Sequence, residues 1–278
     1  KFILTSGNDT IKGNSEANTF DGADGSDTVR YDYLATGESV TVNFNSSSAI
    51  TTVSGDSDIY VSIENAYGSS GDDTFIMNGT DNEENTVDGG SSGIDTISYA
   101  NYTSKVTVDL SATSGINTVK SGDTDTILNV ENLIGGSAGD ELTGSDDNNQ
   151  ITGGDGDDTL IGAAGNDVLI GGNHTTGGTQ GTGDADSGKG DTADYSKASL
   201  GLGVTIDMGR IQTLGTTSSY AVSNDGLGGK DYLNGIENII GTNYVDNIIG
   251  DDNKNYIFGG VENDILSGGK GNDTLEGG

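Results

Sequence analysis

The chain has 278 residues, of which 44 are acidic and 11 are basic, and its formal net charge is −33 at pH 7. This charge opposes compaction unless cations bind, and it argues against nucleic acid and anionic membrane surfaces as partners. With no cysteine and one histidine, disulfides, thiolate metal sites and histidine-based zinc sites are excluded. Only 31% of the residues are hydrophobic, which favours a thin core. No apolar stretch is long enough to cross a membrane, so we expect no membrane insertion.

A nine-residue period opens the chain and returns in two longer glycine ladders. In the opening run the acidic or amide residues are Asp9, Asn18 and Asp27, and the apolar residues two positions later are Ile11, Phe20 and Val29. The glycines of the two ladders are Gly135, Gly144, Gly153, Gly162 and Gly171, then Gly241, Gly250, Gly259, Gly268 and Gly277. Repetition at a fixed period indicates a repeat architecture.

Three longer segments, here called excursions, interrupt the nine-residue pattern. Each begins with an Asp-Thr phrase, continues with an alternating segment, turns at an acidic loop and closes with an Ile/Val-Glu-Asn phrase. The opening phrases are DTVRY (27–31), DTISY (95–99) and DTADY (191–195), and the alternating segments are VTVNF (40–44), VTVDL (106–110) and VTIDM (204–208). The acidic turns are GDSDI (55–59), GDTDTI (122–127) and GGKDYL (228–233), and the closing phrases are SIENAYG (62–68), NVENLIG (129–135) and GIENIIG (235–241). The alternation predicts β-strands. We interpret Tyr31, Tyr99 and Tyr195, which end the opening phrases, as packing caps.

The residue types of one repeat fit a loop followed by a short strand. In GGDGDDTLI (153–161) the glycines permit a tight turn with positive φ, and the carboxylate of Asp158 can point into that turn. The residues that follow are β-prone, and Leu160 lies on one side of the strand. Two such repeats close one coil, so we expect residues eighteen positions apart to stack on the same edge.

This stacking predicts pairs of oxygen-bearing side chains along each edge. Carboxylates at the strand spacing of about 4.8 Å repel each other unless a cation lies between them. Because all the ligands would be oxygen atoms in flexible loops, the sequence favours Ca²⁺ over Mg²⁺. The predicted pairs are Asp140–Asp158, Asp246–Asp264, Asn149–Asp167 and Asn255–Asp273.

The repeats resemble the RTX, or haemolysin-type, calcium-binding nonapeptide family, whose motif is G-G-x-G-x-D-x-(large apolar)-x. The best matches are Gly153–Ile161, Gly162–Ile170 and Gly268–Glu276, and the resemblance covers nearly the whole chain. It implies an all-β fold, in which right-handed parallel β-roll (solenoid) blocks of nonapeptide repeats are interrupted by β-rich excursions. It also implies several Ca²⁺ ions in rows along both edges of the roll.

The resemblance further implies which residues bind the ions. In the family, one loop provides the carbonyl oxygens of its second and fourth residues and its Asp, and the loop eighteen residues later provides those of its first and third residues and its Asp. One ion would then be bound by Gly136, Ala138, Asp140, Gly153, Asp155 and Asp158, and another by Thr242, Tyr244, Asp246, Gly259, Val261 and Asp264. The other implied metal ligands are Thr5, Gly7, Asp9, Gly22, Asp24, Asp27, Asp73, Asp95, Ser145, Asp147, Asn149, Gly162, Ala164, Asp167, Asp251, Asn253, Asn255, Gly268, Lys270 and Asp273.

Four positions depart from the family pattern. Asn149 and Asn255 replace a carboxylate by an amide, so we expect the sites that use them to bind more weakly or to lack the ion. At Tyr244 and Glu262 the fourth-place glycine of the repeat is lost, which makes the start of the last glycine ladder less regular.

The pattern divides the chain into eight segments. They are N-terminal RTX nonapeptides (1–30), excursion 1 (31–67), an irregular RTX roll (68–97), excursion 2 (98–134), RTX roll 2 (135–172), a Gly/Thr-rich loop (173–190), excursion 3 (191–240) and RTX roll 3 (241–278). The chain begins and ends within the pattern. We therefore expect it to be a segment of a longer protein, with roll 3 continuing beyond it.

The Gly/Thr-rich loop contains the single histidine, His174, which we expect to be an exposed residue without a catalytic role. Asp184, Asp186 and Asp191 have chelate-like spacing, but a solvated loop is favoured over a further calcium cage. The sequence contains no nucleophile elbow and no phosphate-binding loop. Glycosidase-like acid pairs are left open by spacing alone, and calcium ligation accounts for the acidic residues more simply. We expect no enzymatic activity.

The resemblance implies a non-catalytic calcium-binding module of a secreted bacterial surface protein or adhesin. Proteins of this family leave the cell unfolded through the type I secretion machinery and fold outside, where calcium is millimolar. The predicted location is therefore extracellular or on the bacterial cell surface, and a host-cell or surface ligand would be a further partner. The alternative is the C-terminal export domain of a secreted enzyme such as a protease, lipase or alginate epimerase. A ligand- or ice-binding face is less favoured, because the repeat runs are short and interrupted.

Overall fold

The computed structural model describes residues 1–13, 16–44, 51–53, 56–79, 84–120, 123–173, 190–210 and 221–278. Within these ranges the regular structure consists of short β-strands, most of them three residues long, and contains no helix. The prediction of an all-β fold is confirmed. Among the residues described, no helix is long and apolar enough to span a membrane.

The chain divides into two compact units, and the first contains Lys1–Thr103 and Ala112–Ile134. Its strands are β1 (Phe2–Ile3), β2 (Thr10–Lys12), β3 (Thr19–Asp21), β4 (Thr28–Arg30), β5 (Thr41–Asn43), β6 (Thr51–Val53), β7 (Asp56–Val61), β8 (Asn65–Tyr67), β9 (Thr74–Ile76), β10 (Thr86–Asp88), β11 (Thr96–Ser98), β13 (Ile116–Lys120), β14 (Asp123–Leu128) and β15 (Asn132–Ile134). Within this unit the neighbouring strands follow the orders β1-β3-β7-β6, β2-β4-β8-β10-β14-β13 and β5-β9-β11-β15.

The second unit contains Ser104–Ser111 and Gly135–Gly278. Its strands are β12 (Thr107–Asp109), β16 (Glu141–Thr143), β17 (Gln150–Asp155), β18 (Thr159–Ile161), β19 (Val168–Asn173), β20 (Thr192–Asp194), β21 (Thr205–Asp207), β22 (Val222–Asn224), β23 (Tyr232–Asn234), β24 (Asn238–Ile240), β25 (Asn247–Ile249), β26 (Tyr256–Phe258), β27 (Ile265–Ser267) and β28 (Thr274–Glu276). Within this unit the neighbouring strands follow the orders β12-β16-β18-β20-β24-β26-β28, β17-β19-β23 and β22-β21-β25-β27.

In the N-terminal repeats and in rolls 2 and 3 the strands pair in parallel eighteen residues apart, as a β-roll requires, whereas in the irregular roll Thr74 pairs with Thr96, 22 residues later. Each repeat strand stacks on the strand one coil away and not on the next strand in the chain, so Asp140 stacks on Asp158 and not on Asn149. The eighteen-residue coil is therefore confirmed. The register pairs that show it are Glu141–Thr159, Gln150–Val168, Asn247–Ile265 and Tyr256–Thr274.

The excursions add strands to the same sheets as the repeats. Their alternating strands β5, β12 and β21 pair in parallel with β9, β16 and β25 of the following repeats. Their closing strands β8, β15 and β24 stack in parallel on the opening strands β4, β11 and β20. The antiparallel pairs β6–β7, β13–β14 and β21–β22 lie between them. Each excursion is thus an enlarged coil that keeps the stacking on both sides. The division into eight segments stays a prediction.

The repeat aliphatics form a thin core. In a three-residue strand only the middle side chain points inward, so one aliphatic per repeat is enough to fill the roll. At the edge strands β27 and β28 the enclosure is incomplete: Leu266 is half-buried and Leu275 is 43% exposed. The fully buried repeat aliphatics are Leu142, Ile151, Leu160, Leu169, Ile248 and Ile257.

Candidate calcium sites

The acidic residues that precede successive strands form a ladder, whose members we call rungs. The backbone N–H of Asp140 donates to Oδ1 of Asp158 at 2.7 Å, and the N–H of Asp158 donates to Oδ1 of Asp191 at 2.8 Å. The N–H of Val106 donates in the same way to Oδ1 of Asp140 at 2.8 Å. Each carboxylate therefore lies against the main chain of the preceding rung, and the carboxylates of adjacent rungs become neighbours.

The structure brings together both members of every predicted pair. In each case the backbone N–H of one rung donates to the carboxylate Oδ1 of the next. Further distances in the second unit are 2.8 Å for Asn149–Asp167, 2.9 Å for Asp246–Asp264 and 3.0 Å for Asn255–Asp273. In the first unit they are 2.8 Å for Asp9–Asp27 and 2.7 Å for Asp73–Asp95.

The loops that carry the predicted carbonyl ligands also contact each other. The carbonyl oxygen of Gly136 accepts the N–H of Asp155 at 3.0 Å, and that of Thr242 accepts the N–H of Val261 at 3.4 Å. The second residue of one nonapeptide thus lies beside the third residue of the nonapeptide one coil later. The exposed side chains among the predicted ligands are those of Thr5, Asp24, Asp147, Asp155, Val261 and Lys270. At these positions the predicted ligand is the backbone carbonyl, and the assignment of ligands stays a prediction.

Several rungs carry a buried carboxylate oxygen for which the described residues provide no donor. At the first rung of a row this oxygen is engaged, because the N–H of Gly136 donates to Oδ2 of Asp140 at 2.5 Å. At several later rungs the corresponding oxygen is buried and has no hydrogen-bond partner among the described residues. A buried ionised oxygen without a partner is costly, so an oxygen-only donor set of this kind fits a hard cation such as Ca²⁺. The oxygens concerned are Oδ2 of Asp27, Asp158, Asp167 and Asp264.

The first glycine of each repeat keeps space open in front of the carboxylate. A Cβ atom added to Gly153 would lie 2.2 Å from Oδ2 of Asp158 and 2.6 Å from the carbonyl oxygen of Gly171. A Cβ on Gly162 would lie 2.4 Å from Oδ2 of Asp167. Any side chain at these positions would fill the space that the donorless oxygens face, which gives the glycine ladder of the sequence a physical reason.

Burial disfavours ionisation of the carboxyl groups of Asp95, Asp158 and Asp167. Burial raises the pKa of Asp158 to about 8, and the charge of Asp191 adds to the effect. Burial and the charge of Asp231 raise the pKa of Asp167 to about 9. Burial also raises the pKa of Asp95 to about 7. A cation beside these groups would favour the charged form and lower their pKa values.

Glutamates in the closing phrases occupy rungs that the sequence-based site prediction missed. Each accepts, through Oε2, the backbone N–H of the aspartate that opens its excursion. The sequence signal for these rungs is the recurring Glu-Asn pair of the closing phrases. The contacts are Asp27 to Glu64 at 2.8 Å, Asp95 to Glu131 at 2.8 Å and Asp191 to Glu237 at 3.0 Å.

The three recurring tyrosines do more than cap the packing. Each is buried, and its hydroxyl donates to Oδ2 of the aspartate in the acidic turn of the same excursion. These aspartates are themselves rungs, since their Oδ1 atoms accept the N–H groups of Asn18, Asn85 and Asp167. At these rungs a hydroxyl therefore engages the oxygen that interior rungs leave without a donor. The pairs are Tyr31–Asp58, Tyr99–Asp125 and Tyr195–Asp231, each at 3.0 Å.

The chelate-like group in the Gly/Thr-rich loop is only partly covered by the structure. His174, Asp184 and Asp186 lie outside the described residues. Across the described part of the chain, no group of three or more His, Cys, Asp or Glu side chains is arranged to hold a metal ion. Asp191, the third member of that group, is a buried rung of the ladder.

Stacked loop-and-strand repeats with rows of buried carboxylates define a parallel β-roll whose edges carry oxygen-bearing side chains. The sequence model described as RTX calcium-binding nonapeptide repeat matches the chain in four copies, at residues 3–32, 134–173, 231–266 and 240–275. Residues 3–32, 134–173 and 231–275 therefore carry repeats of the RTX calcium-binding nonapeptide family, as the resemblance predicted. A search of curated proteins finds no match.

Proposed function

We propose that the chain is a non-catalytic, calcium-binding module of a secreted bacterial surface protein or adhesin. In this proposal the module is disordered without Ca²⁺ and folds on binding it outside the cell, which supports type I secretion and extracellular stability. The observation that carries the proposal is the set of buried, donorless carboxylate oxygens, typified by Oδ2 of Asp158 and Asp167, within repeats of a calcium-binding family.

The residues of the roll prepare the sites in three ways. Through Oδ1, each rung holds its carboxylate against the main chain of the preceding rung. Through Oδ2, rungs such as Asp158 present negative charge to the space that the first glycine of the repeat keeps open. The loop backbones add carbonyl oxygens from two successive coils. Bound calcium supplies the positive charge that balances paired carboxylates.

The same arrangement makes folding depend on the calcium concentration. The net charge of −33 causes strong electrostatic repulsion between acidic side chains. With one enclosed aliphatic per repeat, the chain has few buried apolar side chains to offset it. An ion that binds the folded chain and not the unfolded one stabilises the fold in proportion to the logarithm of its concentration. Extracellular modules bind Ca²⁺ at about 10⁻⁴–10⁻³ M. A chain of this kind would stay unfolded in a low-calcium cytosol and fold after export.

Circular dichroism of the metal-free chain at neutral pH, titrated with CaCl₂, tests the proposal. We expect little β-structure in excess chelator and a cooperative gain of β-signal in the range of about 10⁻⁴–10⁻³ M free Ca²⁺. Mg²⁺ at equal concentration is the control and should induce much less, because it prefers rigid octahedral sites. A chain that already has its full β-signal in chelator would overturn the proposal.

A further inference from the structure

The turn between β22 and β23 contains a buried carboxylate that the nonapeptide motif does not assign. Asp225 is only 1% exposed. Its Oδ1 accepts the backbone N–H groups of Leu227, Gly228 and Gly229 at 2.7, 2.7 and 2.8 Å. Its Oδ2 is buried and has no hydrogen-bond partner among the described residues. Three donors thus fix the carboxylate in place and leave its second oxygen without a donor.

A backbone carbonyl from the preceding coil faces the same small space. A Cβ atom added to Gly229 would lie 1.5 Å from the carbonyl oxygen of Gly165 and 2.5 Å from Oδ2 of Asp225. The two oxygens therefore border one space, which is open only because residue 229 is a glycine. Gly165 belongs to the repeat loop that ends at Asp167.

Asp167, two residues after Gly165 in the same loop, supplies a second buried oxygen. It is fully buried, and its Oδ2 has no hydrogen-bond partner in the described part of the chain. A Cβ atom added to Gly162, the first residue of this loop, would lie 2.4 Å from that oxygen, so the oxygen faces the same loop that carries the carbonyl of Gly165.

The aspartate that the motif would place here is engaged elsewhere. Asp231 stacks one coil after Asp167, but its Oδ2 accepts the hydroxyl of Tyr195 at 3.0 Å. The oxygen that would face an ion at an ordinary rung is thus occupied by a neutral donor. Of the two aspartates in this loop, it is Asp225 whose second oxygen lacks a donor.

The second excursion contains a comparable buried aspartate that lies beside a cationic side chain of the same excursion. There, buried Asp123 lies 3.5 Å from the ammonium group of Lys120 and accepts the hydroxyl of Tyr102 at 3.1 Å. In the third excursion Asp225 makes no salt bridge with any described residue. An external cation at Asp225 would supply the charge that Lys120 supplies at Asp123.

We propose that Asp225, Asp167 and the carbonyl oxygen of Gly165 bind one Ca²⁺ ion at a site that uses a carboxylate from outside the nonapeptide motif. The inference rests on the proposed calcium function and adds a ligand to it. All three donors are oxygen atoms and two of them are carboxylates, which is the ligand chemistry that Ca²⁺ prefers. This ion would link the third excursion to the repeat loop that contains Gly165 and Asp167.

The experiment counts bound Ca²⁺ per chain by equilibrium dialysis with atomic absorption, in the unchanged chain, in Asp225→Asn and in Asp207→Asn. The last variant makes the same charge change at an exposed position of the same excursion. We expect Asp225→Asn to bind one ion fewer and Asp207→Asn to bind as many as the unchanged chain. An undiminished count in Asp225→Asn overturns the inference. If the unchanged chain binds no calcium, the proposed function itself fails.

A second measurement does not depend on whether the Asp225→Asn variant folds. Anomalous diffraction from crystals of the unchanged chain grown with Ca²⁺ locates the ions directly. We expect a calcium peak at about 2.3–2.6 Å from Oδ2 of Asp225 and from the carbonyl oxygen of Gly165. A peak bound by Asp167 and Asp231 with Tyr195 displaced, or no peak at Asp225, would show that the site is not formed as proposed.

Discussion

The two carboxylate oxygens of a ladder aspartate have different hydrogen-bonding roles. Oδ1 accepts the backbone N–H of the preceding rung and so helps to set the register of the coils. Oδ2 points into the loop of its own repeat, where it meets a backbone N–H, a tyrosine hydroxyl or no donor at all. Asn149 shows the effect of an amide, since its Oδ1 accepts the N–H of Ser145 at 2.7 Å. The amide keeps the loop closed but brings no charge to an ion.

This difference predicts unequal effects of truncation on calcium binding. Asp158→Ala removes an ionised, charge-assisted ligand, whereas Asn149→Ala removes a neutral one, so the loss of affinity should be larger for Asp158→Ala. Isothermal titration calorimetry with Ca²⁺ measures both. Asp264→Ala and Asn255→Ala are the corresponding pair in the last repeats and should rank in the same order. Equal losses within each pair would mean that the register of ligands is wrong.

At the scale of the strand, the sequence predicted the repeats well because their determinants are local. The glycine, the acid and the aliphatic of each repeat lie within nine residues, so their phase gave the inward position of Leu160 and the stacking of Asp140 on Asp158. The excursions were less predictable. The stacking of Glu64 on Asp27 joins residues 37 positions apart, and the contact between Tyr99 and Asp125 joins residues 26 apart. The recurring phrases of the sequence indicate that such contacts exist. Which residues contact each other depends on the fold of the long segment between them, and local spacing does not give that fold.

The enclosed position of the repeat aliphatic predicts a clear difference in stability. Leu160 is fully buried between the sheets of the roll, whereas Leu275 on edge strand β28 is 43% exposed. Leu160→Ala should lower the free energy of unfolding in saturating Ca²⁺ by about 2–5 kcal/mol, the usual cost of removing a buried leucine side chain.

Leu275→Ala is the control for this substitution and should cost clearly less, because its side chain has less contact to lose. Urea unfolding followed by circular dichroism measures both variants under identical conditions. A loss for Leu275→Ala as large as that for Leu160→Ala would contradict the proposed core.

For the whole molecule, the proposed function implies that negative charge is the main obstacle to folding. The net charge is −33, and the rungs concentrate part of it in buried rows where adjacent carboxylates repel each other. Calcium relieves this repulsion by adding positive charge. Protons relieve it by a different route, since a protonated carboxyl group carries no charge into the buried row.

Metal-free chain should therefore gain stability as the pH falls. Burial and neighbouring charges raise the pKa values of Asp95, Asp158 and Asp167 to about 7, 8 and 9 in the calcium-free fold. A carboxyl group in an unfolded chain has a pKa of about 4. Between that pH, the lower limit, and the raised pKa values of the folded chain, the upper limit, the folded chain binds more protons than the unfolded chain. The stabilising contribution is fully present below the lower limit and is lost as the pH rises through the folded values.

The measurement is the β-signal of dialysed, metal-free chain in circular dichroism, recorded from about pH 9 down to about pH 5, which covers most of this window. We expect the signal to rise as the pH falls. With saturating Ca²⁺ the trend should reverse, because the ion requires ionised carboxylates and protons compete with it for the same oxygens. Asp158→Asn, which cannot ionise at that rung, should weaken the pH dependence of the metal-free chain. If the metal-free signal did not change with pH, the buried rows would not be what keeps the calcium-free chain unfolded.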